Sequence, residues 1–457
     1  MAERLVVIGG DAAGMTAASQ ARKRRGPEDL SIVAFEKGNY TSYSACGIPY
    51  FVGDVVEFDR LIVRRPEEFR AKQDIDARIR HEVVGIDLDK RTVTVVHEGA
   101  ESDEPFDHLM VATGGKPLRP QLDGVDSTGI FGVQTLDDGV TIERFIEEEK
   151  PEKAVVVGGG YIGLEMAEAF QLRGLKVALV ERGPQPMATM DPDMGALVAD
   201  AMRGLGVELL LEESVTGFET KDGKVSAVVT DARTLPADIV VLGLGTRPNV
   251  ELAERSGIPI GESGGIVVDQ RMKTPVDGVW SAGDCAEKKH LVSDRPIAIA
   301  LGTHANKEGR VAGINIGGGN ATFPGVLGTA TSKVCGYEVA RTGLRESDAE
   351  QVGFEVIGVR TDSTTRAGYY PGAAPITTKL VVERGSGRLL GAQIFGKEGA
   401  AKRIDVLAMA LWNGMTVDTI LNVDLSYAPP FAPVWDPVLI AARRAWDQVQ
   451  AEAAELR

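Results

Sequence analysis

One cysteine is the residue of this chain best suited to form and break covalent bonds. Among 457 residues there are only three cysteines and five histidines, which are too few and too scattered for a disulfide framework or a structural zinc site. Gly47 and Pro49 follow Cys46 closely, and this spacing predicts that Cys46 opens a helix. The positive end of that helix should lower the pKa of the Cys46 thiol and supply thiolate.

A glycine-rich turn near the amino terminus predicts a dinucleotide site. A buried strand over Leu5–Ile8 runs into this turn, and an alanine-rich helix follows it. Gly9 and Gly14 occupy the first and third positions of GxGxxG, while Asp11 replaces the second glycine. The next predicted strand ends at Glu36, whose carboxylate can hold ribose hydroxyls while the helix amino terminus faces a pyrophosphate.

A second glycine-rich turn carries the complete fingerprint. Gly158, Gly160 and Gly163 follow a predicted strand and precede a predicted helix, and the next strand ends at Glu181. A carboxylate at that position accepts from a ribose 2′-hydroxyl and repels a 2′-phosphate, so NADH is slightly favoured over NADPH. Arg182 weakens this preference because it could pair with a phosphate. The two turns predict that one chain holds two dinucleotides.

Three further strands end at glycine. The segments Asp107–Gly115 and Asp238–Asn249 are interpreted as the points where the chain crosses between two nucleotide domains. A third strand ends at Gly283 and Asp284, which predicts a carboxylate on a second cofactor contact.

These motifs, in this order, resemble those of the FAD- and NAD-dependent pyridine nucleotide–disulfide oxidoreductases. The resemblance covers nearly the whole chain and implies an α/β fold with two Rossmann-like dinucleotide-binding domains and a C-terminal α+β dimerisation domain. It implies a discontinuous FAD-binding domain over 1–114 and 248–324, an NAD(P)H-binding domain over 115–247 and a dimerisation domain over 325–457. The residues expected to contact FAD or NAD(P)H are Gly9, Asp11, Ala12, Gly14, Glu36, Lys37, Ser42, Ala112, Thr113, Gly114, Gly158, Gly160, Tyr161, Ile162, Gly163, Glu181, Gly245, Gly283 and Asp284.

Within this family the chain is similar to the single-cysteine branch. Ser42 stands four residues before Cys46, where dithiol members carry a partner thiol, so Cys46 must cycle through a mixed disulfide, a persulfide or a sulfenic acid. Cys285 and Cys335 are interpreted as small buried apolar side chains. By resemblance, Asp284 would bond to the FAD ribityl chain, and Tyr161 would cover the flavin until nicotinamide displaces it.

Two tyrosines resemble those of the coenzyme A disulfide reductases. NADH oxidases and peroxidases of this branch carry a histidine in the first glycine turn, where this chain has Ala12. Tyr369 and Tyr427 match tyrosines that protonate or stabilise the departing CoA thiolate, and Tyr427 would reach the site from the partner subunit of a homodimer. A phenol can do this because the leaving thiolate needs only a nearby hydrogen-bond donor.

The charge of the chain restricts its partners. The net charge of −16 argues against nucleic acid and against anionic membrane surfaces as main partners. No apolar run approaches a membrane span, so we expect a cytoplasmic protein. CoA phosphates require a local exception, and Gln20, Arg22, Lys23 and Lys72 match positions of the CoA reductase pattern.

The resemblance therefore implies an FAD-dependent NAD(P)H oxidoreductase that reduces CoA disulfide or a CoA mixed disulfide through Cys46. CoA bound to Cys46 would be an intermediate of that reaction. Two alternatives keep the fold and change the acceptor: an NAD(P)H oxidase that uses O2, and a reductase of CoA persulfide or polysulfide. A more distant alternative is a non-catalytic flavoprotein that senses NADH.

Overall fold

The helices and strands follow the alternation that the sequence predicts. The computed structural model describes residues 2–455. From 3 to 117 the elements are β1 Glu3–Ile8, α1 Ala12–Arg22, β2 Leu30–Phe35, α2 Ile48–Val52, α3 Phe58–Leu61, α4 Pro66–Gln73, β3 Asp76–Arg78, β4 Glu82–Asp87, β5 Thr92–His97, β6 Ala100–Pro105, β7 His108–Val111 and β8 Gly115–Pro117. From 130 to 248 they are β9 Ile130–Gly132, α5 Leu136–Glu149, β10 Lys153–Val157, α6 Tyr161–Leu172, β11 Lys176–Glu181, α7 Pro192–Leu205, β12 Glu208–Leu211, β13 Val215–Lys221, β14 Lys224–Thr230, β15 Thr234–Pro236, β16 Ile239–Leu242 and β17 Thr246–Pro248. The remaining elements are α8 Glu251–Arg255, β18 Val279–Ser281, β19 Lys288–Lys289, β20 Pro296–Ile297, α9 Gly302–Ile316, β21 Ala330–Val334, β22 Tyr337–Gly343, α10 Glu346–Gln351, β23 Val356–Thr364, β24 Pro375–Glu383, β25 Leu389–Gly396, α11 Ala400–Trp412, α12 Val417–Leu421 and α13 Pro437–Glu455.

The first glycine turn belongs to a five-stranded sheet with the strand order β18-β7-β1-β2-β3. The strands are parallel, and residues 5–8 of β1 form a continuous buried apolar run because both faces of the sheet are covered. Helices α1 and α9 pack very closely: a Cβ on Gly309 would lie 2.3 Å from the Ala13 carbonyl oxygen, and one on Gly313 would lie 2.2 Å from that of Ala17. Glycine is required at both positions for this contact.

The second glycine turn belongs to a separate five-stranded parallel sheet with the order β12-β11-β10-β16-β9. Its strands all come from between β8 and β17, and β8 pairs antiparallel with β17. The chain therefore enters and leaves this sheet through one two-stranded ribbon.

The carboxy-terminal sheet is antiparallel, with the order β21-β22-β25-β24-β23, and helices α11 and α13 pack on it. Helix α11 ends just before Gly414, which has a φ of +61°, as the sequence predicts. The predicted fold class, two Rossmann-like sheets followed by an α+β domain, is confirmed.

A polar contact joins the second sheet to the carboxy-terminal sheet. The Gln393 side-chain amide donates to Asp191 at 2.6 Å, and the Lys379 ammonium donates to Asp193 at 2.7 Å. Asp191 lies just before α7, and Gln393 and Lys379 lie on β25 and β24.

None of the helices within 2–455 combines the length and apolar composition needed to cross a bilayer.

Candidate active site

The two glycine turns are built in the same way. Gly9 and Gly158 have φ values of +106° and +102°, a conformation that glycine adopts without strain. A Cβ on Gly14 would lie 2.0 Å from the Gly9 carbonyl oxygen, and one on Gly163 would lie 1.9 Å from that of Gly158. Each turn thus brings the start of a helix against the end of a strand, as a pyrophosphate site requires.

The carboxylates at the next strand ends are also placed alike. Glu36 accepts hydrogen bonds from the backbone amides of Gly10 at 2.8 Å and Gly38 at 2.7 Å. Glu181 likewise accepts from one amide of the second turn and one beyond its own strand, at 2.7 and 2.8 Å. A carboxylate oxygen has two acceptor sites, so both side chains can still accept ribose hydroxyls. Both turns therefore fit a dinucleotide.

The two turns differ at their second fingerprint position. Gly160 faces open space, and the nearest atom to a Cβ built there is 4.0 Å away. Asp11 instead places a carboxylate there, which accepts the Tyr43 amide at 3.3 Å. Burial raises the pKa of Asp11 to about 7, the Tyr43 bond opposes this rise, and the charges of Glu36 and Asp284 add to it. Asp11 also ties the first turn to the segment that carries Cys46.

Asp11 should make the stability of the FAD-free protein depend on pH. Since its folded-state pKa is raised to about 7, the folded protein keeps a proton that the unfolded chain releases near pH ~4. The stabilisation is present below pH ~4 and is lost as the pH rises to about 7, a change of roughly 4 kcal/mol. We expect Asp11→Asn to remove this part of the pH dependence in urea unfolding curves at pH 4, 5.5 and 7. If the free energy of unfolding changed with pH equally in the wild type and in Asp11→Asn, the raised pKa of Asp11 would be contradicted.

Cys46 lies in a short 3₁₀ turn, Ala45–Gly47, directly before α2. Its side chain reaches solvent, yet the protein surrounds it closely enough to raise the pKa of the thiol. Burial is the main cause, followed by the negative charges of Glu165, Asp284 and Asp11. The expectation of a lowered pKa is therefore wrong for this structure. Helix α2 has only five residues, and burial of the thiol together with the nearby carboxylates outweighs its dipole.

Helix α6 of the second glycine turn contributes a carboxyl group near Cys46. Glu165 on α6 accepts the Ser332 hydroxyl of β21 at 2.7 Å, and burial raises the Glu165 pKa. Tyr161, one turn earlier, packs with its hydroxyl against Thr189, and burial raises its pKa as well. Tyr161 and the adjacent Ile162 are half-buried. Cys46 thus lies where elements of the first sheet, the second sheet and the carboxy-terminal domain meet.

The segments after β7 and β16 lead into the β8–β17 ribbon between the two sheets. Ala112, Thr113 and Gly114 follow β7, and the Thr113 hydroxyl donates to the Asn249 carbonyl at 2.6 Å. Gly245 follows β16 with a φ of +91°. These residues interlock the two crossing segments beside the first glycine turn.

Asp284 is a carboxyl group that can still accept hydrogen bonds. It follows Gly283, whose φ is +87°, and no side chain or amide within 2–455 donates to it at hydrogen-bond distance. Burial raises its pKa because the carboxylate has lost contact with water. The hydroxyl groups of a ligand would supply the missing hydrogen bonds.

Ser42 and Lys37 differ in their surroundings. Ser42 has a φ of +51° and its amide donates to the Gly10 carbonyl at 3.0 Å, whereas Lys37 is exposed.

The other two thiols differ from each other. Cys285 is fully buried, and its sulfur contacts the Val111 carbonyl oxygen at 3.6 Å. Cys335 is only half-buried, in the hairpin between β21 and β22, with a φ of +56°. Its sulfur lies 3.3 Å from that of Met202, and burial raises its pKa to about 12. The buried interpretation holds for Cys285 and overstates the burial of Cys335.

The two predicted tyrosines lie together on the carboxy-terminal domain. Tyr427 lies close enough to Tyr369 to raise the pKa of that phenol, and the residues are 77% and 47% exposed. No hydrogen bond within 2–455 joins either phenol to the Cys46 thiol of the same chain.

An arginine that the motifs did not single out holds the tyrosine loops. Arg403 pairs with Asp436 at 2.9 Å and donates to the carbonyls of Thr365 at 2.8 Å and Phe431 at 2.9 Å. Thr365 precedes the Tyr369 loop, and Phe431 follows Tyr427. No sequence motif indicates this contact, because Arg403 and its partners lie on separate segments of the chain.

An exposed edge runs along the junction of α1 and α9. The Thr16 hydroxyl donates to Asn306 at 3.0 Å across the junction, and Gln20 accepts from Arg24 at 3.1 Å one turn further along. Arg310 is exposed on α9, one turn after Asn306. Sequence reasoning found Gln20 and missed the other four, because their proximity depends on how the two helices pack.

The four predicted CoA contacts are not equivalent. Lys23 is exposed and forms no ion pair within 2–455. Lys72 pairs with Glu68 at 3.0 Å on α4. Arg22 instead donates from three nitrogens to backbone carbonyls, two of them those of Gln73 at 2.9 Å and Asp74 at 3.2 Å. This arrangement gives Arg22 a structural task at the end of α1 and leaves it fewer donors for a phosphate.

Comparisons with known proteins identify the family. The sequence matches the pyridine nucleotide-disulphide oxidoreductase family over residues 3–309 and its dimerisation domain over 329–437. The chain belongs to this family. Its class, a flavin-dependent NAD(P)H oxidoreductase, is thereby confirmed, and FAD and NAD(P)H are the cofactors that membership implies.

Three similar proteins carry informative names. An NAD(P)H sulfur oxidoreductase (CoA-dependent) of Pyrococcus abyssi is 40% identical to this chain, and the alignment covers 96% of this chain and 97% of that protein. A coenzyme A disulfide reductase of Staphylococcus haemolyticus is 31% identical, covering 97% of this chain and 99% of its own. The solved structure of a NAD-dependent persulfide reductase from A. fulgidus has a TM-score of 0.95 and 40% identity, covering 98% of this chain and 84% of that one.

Proposed function

We propose that this protein uses NAD(P)H to reduce the S–S bond of CoA disulfide, with Cys46 as its single redox-active sulfur. The observation that carries the proposal is one solvent-reaching thiol, without a second cysteine beside it, lying between two dinucleotide turns. An internal disulfide cannot form there, so the second sulfur of every S–S bond at this site comes from the substrate.

The sulfur chemistry balances with one thiol. The Cys46 thiolate attacks one sulfur of CoA disulfide, a Cys46–S–S–CoA bond forms, and one CoA thiolate leaves. FAD, when bound, supplies the two electrons that it takes from NAD(P)H. These electrons cleave the mixed disulfide, which restores the Cys46 thiolate and releases the second CoA. In sum, NAD(P)H, one proton and CoA disulfide give NAD(P)⁺ and two CoA.

Charge supports a CoA site along the α1–α9 edge. Helix α1 has no acidic residue, and the only one on α9, Glu308, is fully buried. Lys23 and Arg24 just after α1, and Arg310 on α9, therefore face solvent without an exposed carboxylate on either helix, in a protein whose net charge is −16. This edge starts one turn from Asp11, which bonds to the Cys46 segment. A CoA molecule whose phosphates lie along the edge would direct its thiol towards Cys46.

A homodimer would complete the site. The tyrosine loops present an exposed aromatic surface that includes Tyr369, Phe431 at 76% and Trp435 at 46% exposure, and a single chain leaves this surface uncovered. Covering it with a second copy buries it and brings Tyr427 to the partner's thiol. There the phenol would donate a proton to the departing CoA thiolate.

The remaining assignments belong to the same proposal. We place FAD on the first turn and NAD(P)H on the second, with the domain division 1–114 plus 248–324, 115–247 and 325–457. Glu181 supports a preference for NADH because a carboxylate repels a 2′-phosphate. Free thiols support a reducing compartment, the cytoplasm.

Reduction of CoA persulfide is the second candidate. It uses the same CoA–S–S chemistry, and the P. abyssi sulfur oxidoreductase is more similar to this chain than the S. haemolyticus disulfide reductase, at 40% against 31% identity. O2 reduction is less well supported because Ala12 stands where the oxidase histidine would be.

Two measurements on the purified protein test the proposal. Mass spectrometry without reductant should find a CoA-sized adduct on Cys46, and NADH consumption should be faster with CoA disulfide than with glutathione disulfide or O2. Faster consumption with CoA persulfide than with CoA disulfide would select the second candidate. A sulfenic acid on Cys46 with O2 as the best acceptor would overturn both, and NADH-reducible flavin without turnover on any acceptor would indicate a sensor.

A further inference from the structure

A fully buried ion pair lies beneath the strand end that carries Asp284. The Lys288 ammonium is 3.5 Å from the Glu308 carboxylate, and both side chains are 0% exposed. Lys288 lies on β19, just after the Gly283 turn, and Glu308 lies on α9. The proposed sulfur chemistry assigns no role to either residue.

The pair holds both sides of Gly283. Glu308 accepts the Gly283 amide at 2.8 Å, and Lys288 donates to the Gly283 carbonyl at 2.7 Å and to the Ala286 carbonyl at 2.9 Å. A Cβ on Gly283 would lie 3.0 Å from the Ala13 side chain of α1. The turn is thus wedged between two helices and fixed by two opposite charges, and Asp284 is the next residue.

Stability alone does not account for this arrangement. Two charges taken fully out of water lose more solvation than their mutual attraction regains, so buried pairs are often neutral or unfavourable. One Glu308 oxygen, Oε1, also has no hydrogen-bond partner within 2–455. The Lys288 charge reaches Asp284, where it opposes the rise in pKa that burial causes. The pair therefore acts on the residue that the proposed FAD site uses.

We propose that Lys288 and Glu308 are positioning residues that aim Asp284 at the flavin and, by cancelling each other's charge, set the reduction potential of the flavin. This inference rests on the FAD site of the proposed function. It assigns the two residues separate tasks: the Glu308 oxygen fixes the Gly283 peptide, and the Glu308 charge neutralises Lys288.

Glu308 variants separate these tasks. Glu308→Gln keeps an acceptor for the Gly283 amide and leaves Lys288 without its counter-charge. Lys288 retains two carbonyl acceptors and the Asp284 charge nearby, so it stays protonated and favours the electron-rich, reduced flavin. Glu308→Ala also removes the acceptor. The double variant Lys288→Met/Glu308→Gln is electrically neutral again.

The experiment measures FAD dissociation and the flavin midpoint potential of the full-length holoenzyme. Glu308→Ala should weaken FAD binding on the order of tenfold, since a hydrogen bond to a charged group is lost, and Glu308→Gln should bind nearly as the wild type does. The midpoint potential should rise in Glu308→Gln and return to the wild-type value in the double variant. Lys289→Met, an exposed lysine one residue along, is the matched control and should change neither quantity.

The outcomes separate this inference from the proposed function. A wild-type protein that binds no FAD would refute the proposed function. Two results in a wild type that binds FAD would overturn the electrostatic role. One is a midpoint potential of Glu308→Gln that equals the wild-type value. The other is a shift in the double variant as large as the shift in Glu308→Gln. Equal FAD binding by Glu308→Ala and the wild type would overturn the positioning role.

Discussion

Cys46→Ser should lose NADH-dependent reduction of CoA disulfide, with kcat falling on the order of 1000-fold or more. A serine hydroxyl cannot attack a disulfide at neutral pH or form an S–S bond with CoA, and no other thiol can take its place. Cys285 is fully buried, and Cys335 has a pKa of about 12 that leaves almost no thiolate. Reduction of bound flavin by NADH should continue, because the second glycine turn is unchanged. Stopped-flow absorbance and steady-state turnover measure the two steps separately.

Cys335→Ser is the matched control for this experiment. It makes the same chemical change at the other partly exposed thiol and should retain CoA-disulfide turnover. Full turnover in Cys46→Ser would refute the single-thiol mechanism. Loss of flavin reduction together with turnover would show that the substitution damages the fold.

A pair of alanine substitutions in the second glycine turn should separate folding from NADH binding. A Cβ on Gly163 would lie 1.9 Å from the Gly158 carbonyl oxygen, so Gly163→Ala must push α6 away from β10. We expect a lowered Tm and NADH reduction of the flavin slowed by about 100-fold or more, because misplacing a reactant by about 1 Å has such effects. Gly160 has a φ of −78° and open space around it, so Gly160→Ala should fold normally. Its new methyl group would occupy pyrophosphate space and raise the KM for NADH about tenfold.

Thermal melts followed by circular dichroism and NADH titrations decide between these outcomes. A wild-type KM for NADH in Gly160→Ala would contradict the assignment of the NADH site to the second turn. A wild-type Tm in Gly163→Ala would contradict the close approach of α6 and β10.

Features set by local backbone chemistry could be predicted from the sequence. The glycine at 9 and the acids at 36 and 181 follow from the shape of a strand–turn–helix unit, and the structure places them as predicted. The Gly414 end of α11 also follows from a local rule. Such predictions succeed because every group involved lies within a few residues or on the next parallel strand.

Features that depend on distant segments could not be predicted. The Cys46 pKa is raised mainly by burial and then by the charges of Glu165, Asp284 and Asp11. Both causes depend on distant segments that pack around the thiol, so a rule about one helix end gave the wrong sign. Arg22 matched a substrate position, yet its contacts with residues 73 and 74 appear only when α1 packs beside α4. The Lys288–Glu308 pair likewise joins a short strand to a later helix and has no sequence motif.

The sheet that carries the second turn is supported on two sides, and this bears on the reaction rate of the proposed FAD and NAD(P)H sites. The β8–β17 ribbon attaches it to the first sheet, and the bonds of Asp191 and Asp193 to β24 and β25 attach it to the carboxy-terminal domain. Attachment at two separate points restricts rotation of this sheet about either one. The relative orientation of the two glycine turns is therefore fixed largely when the chain folds, and only a mobile reactant such as NAD(P)H loses translational and rotational entropy in each turnover.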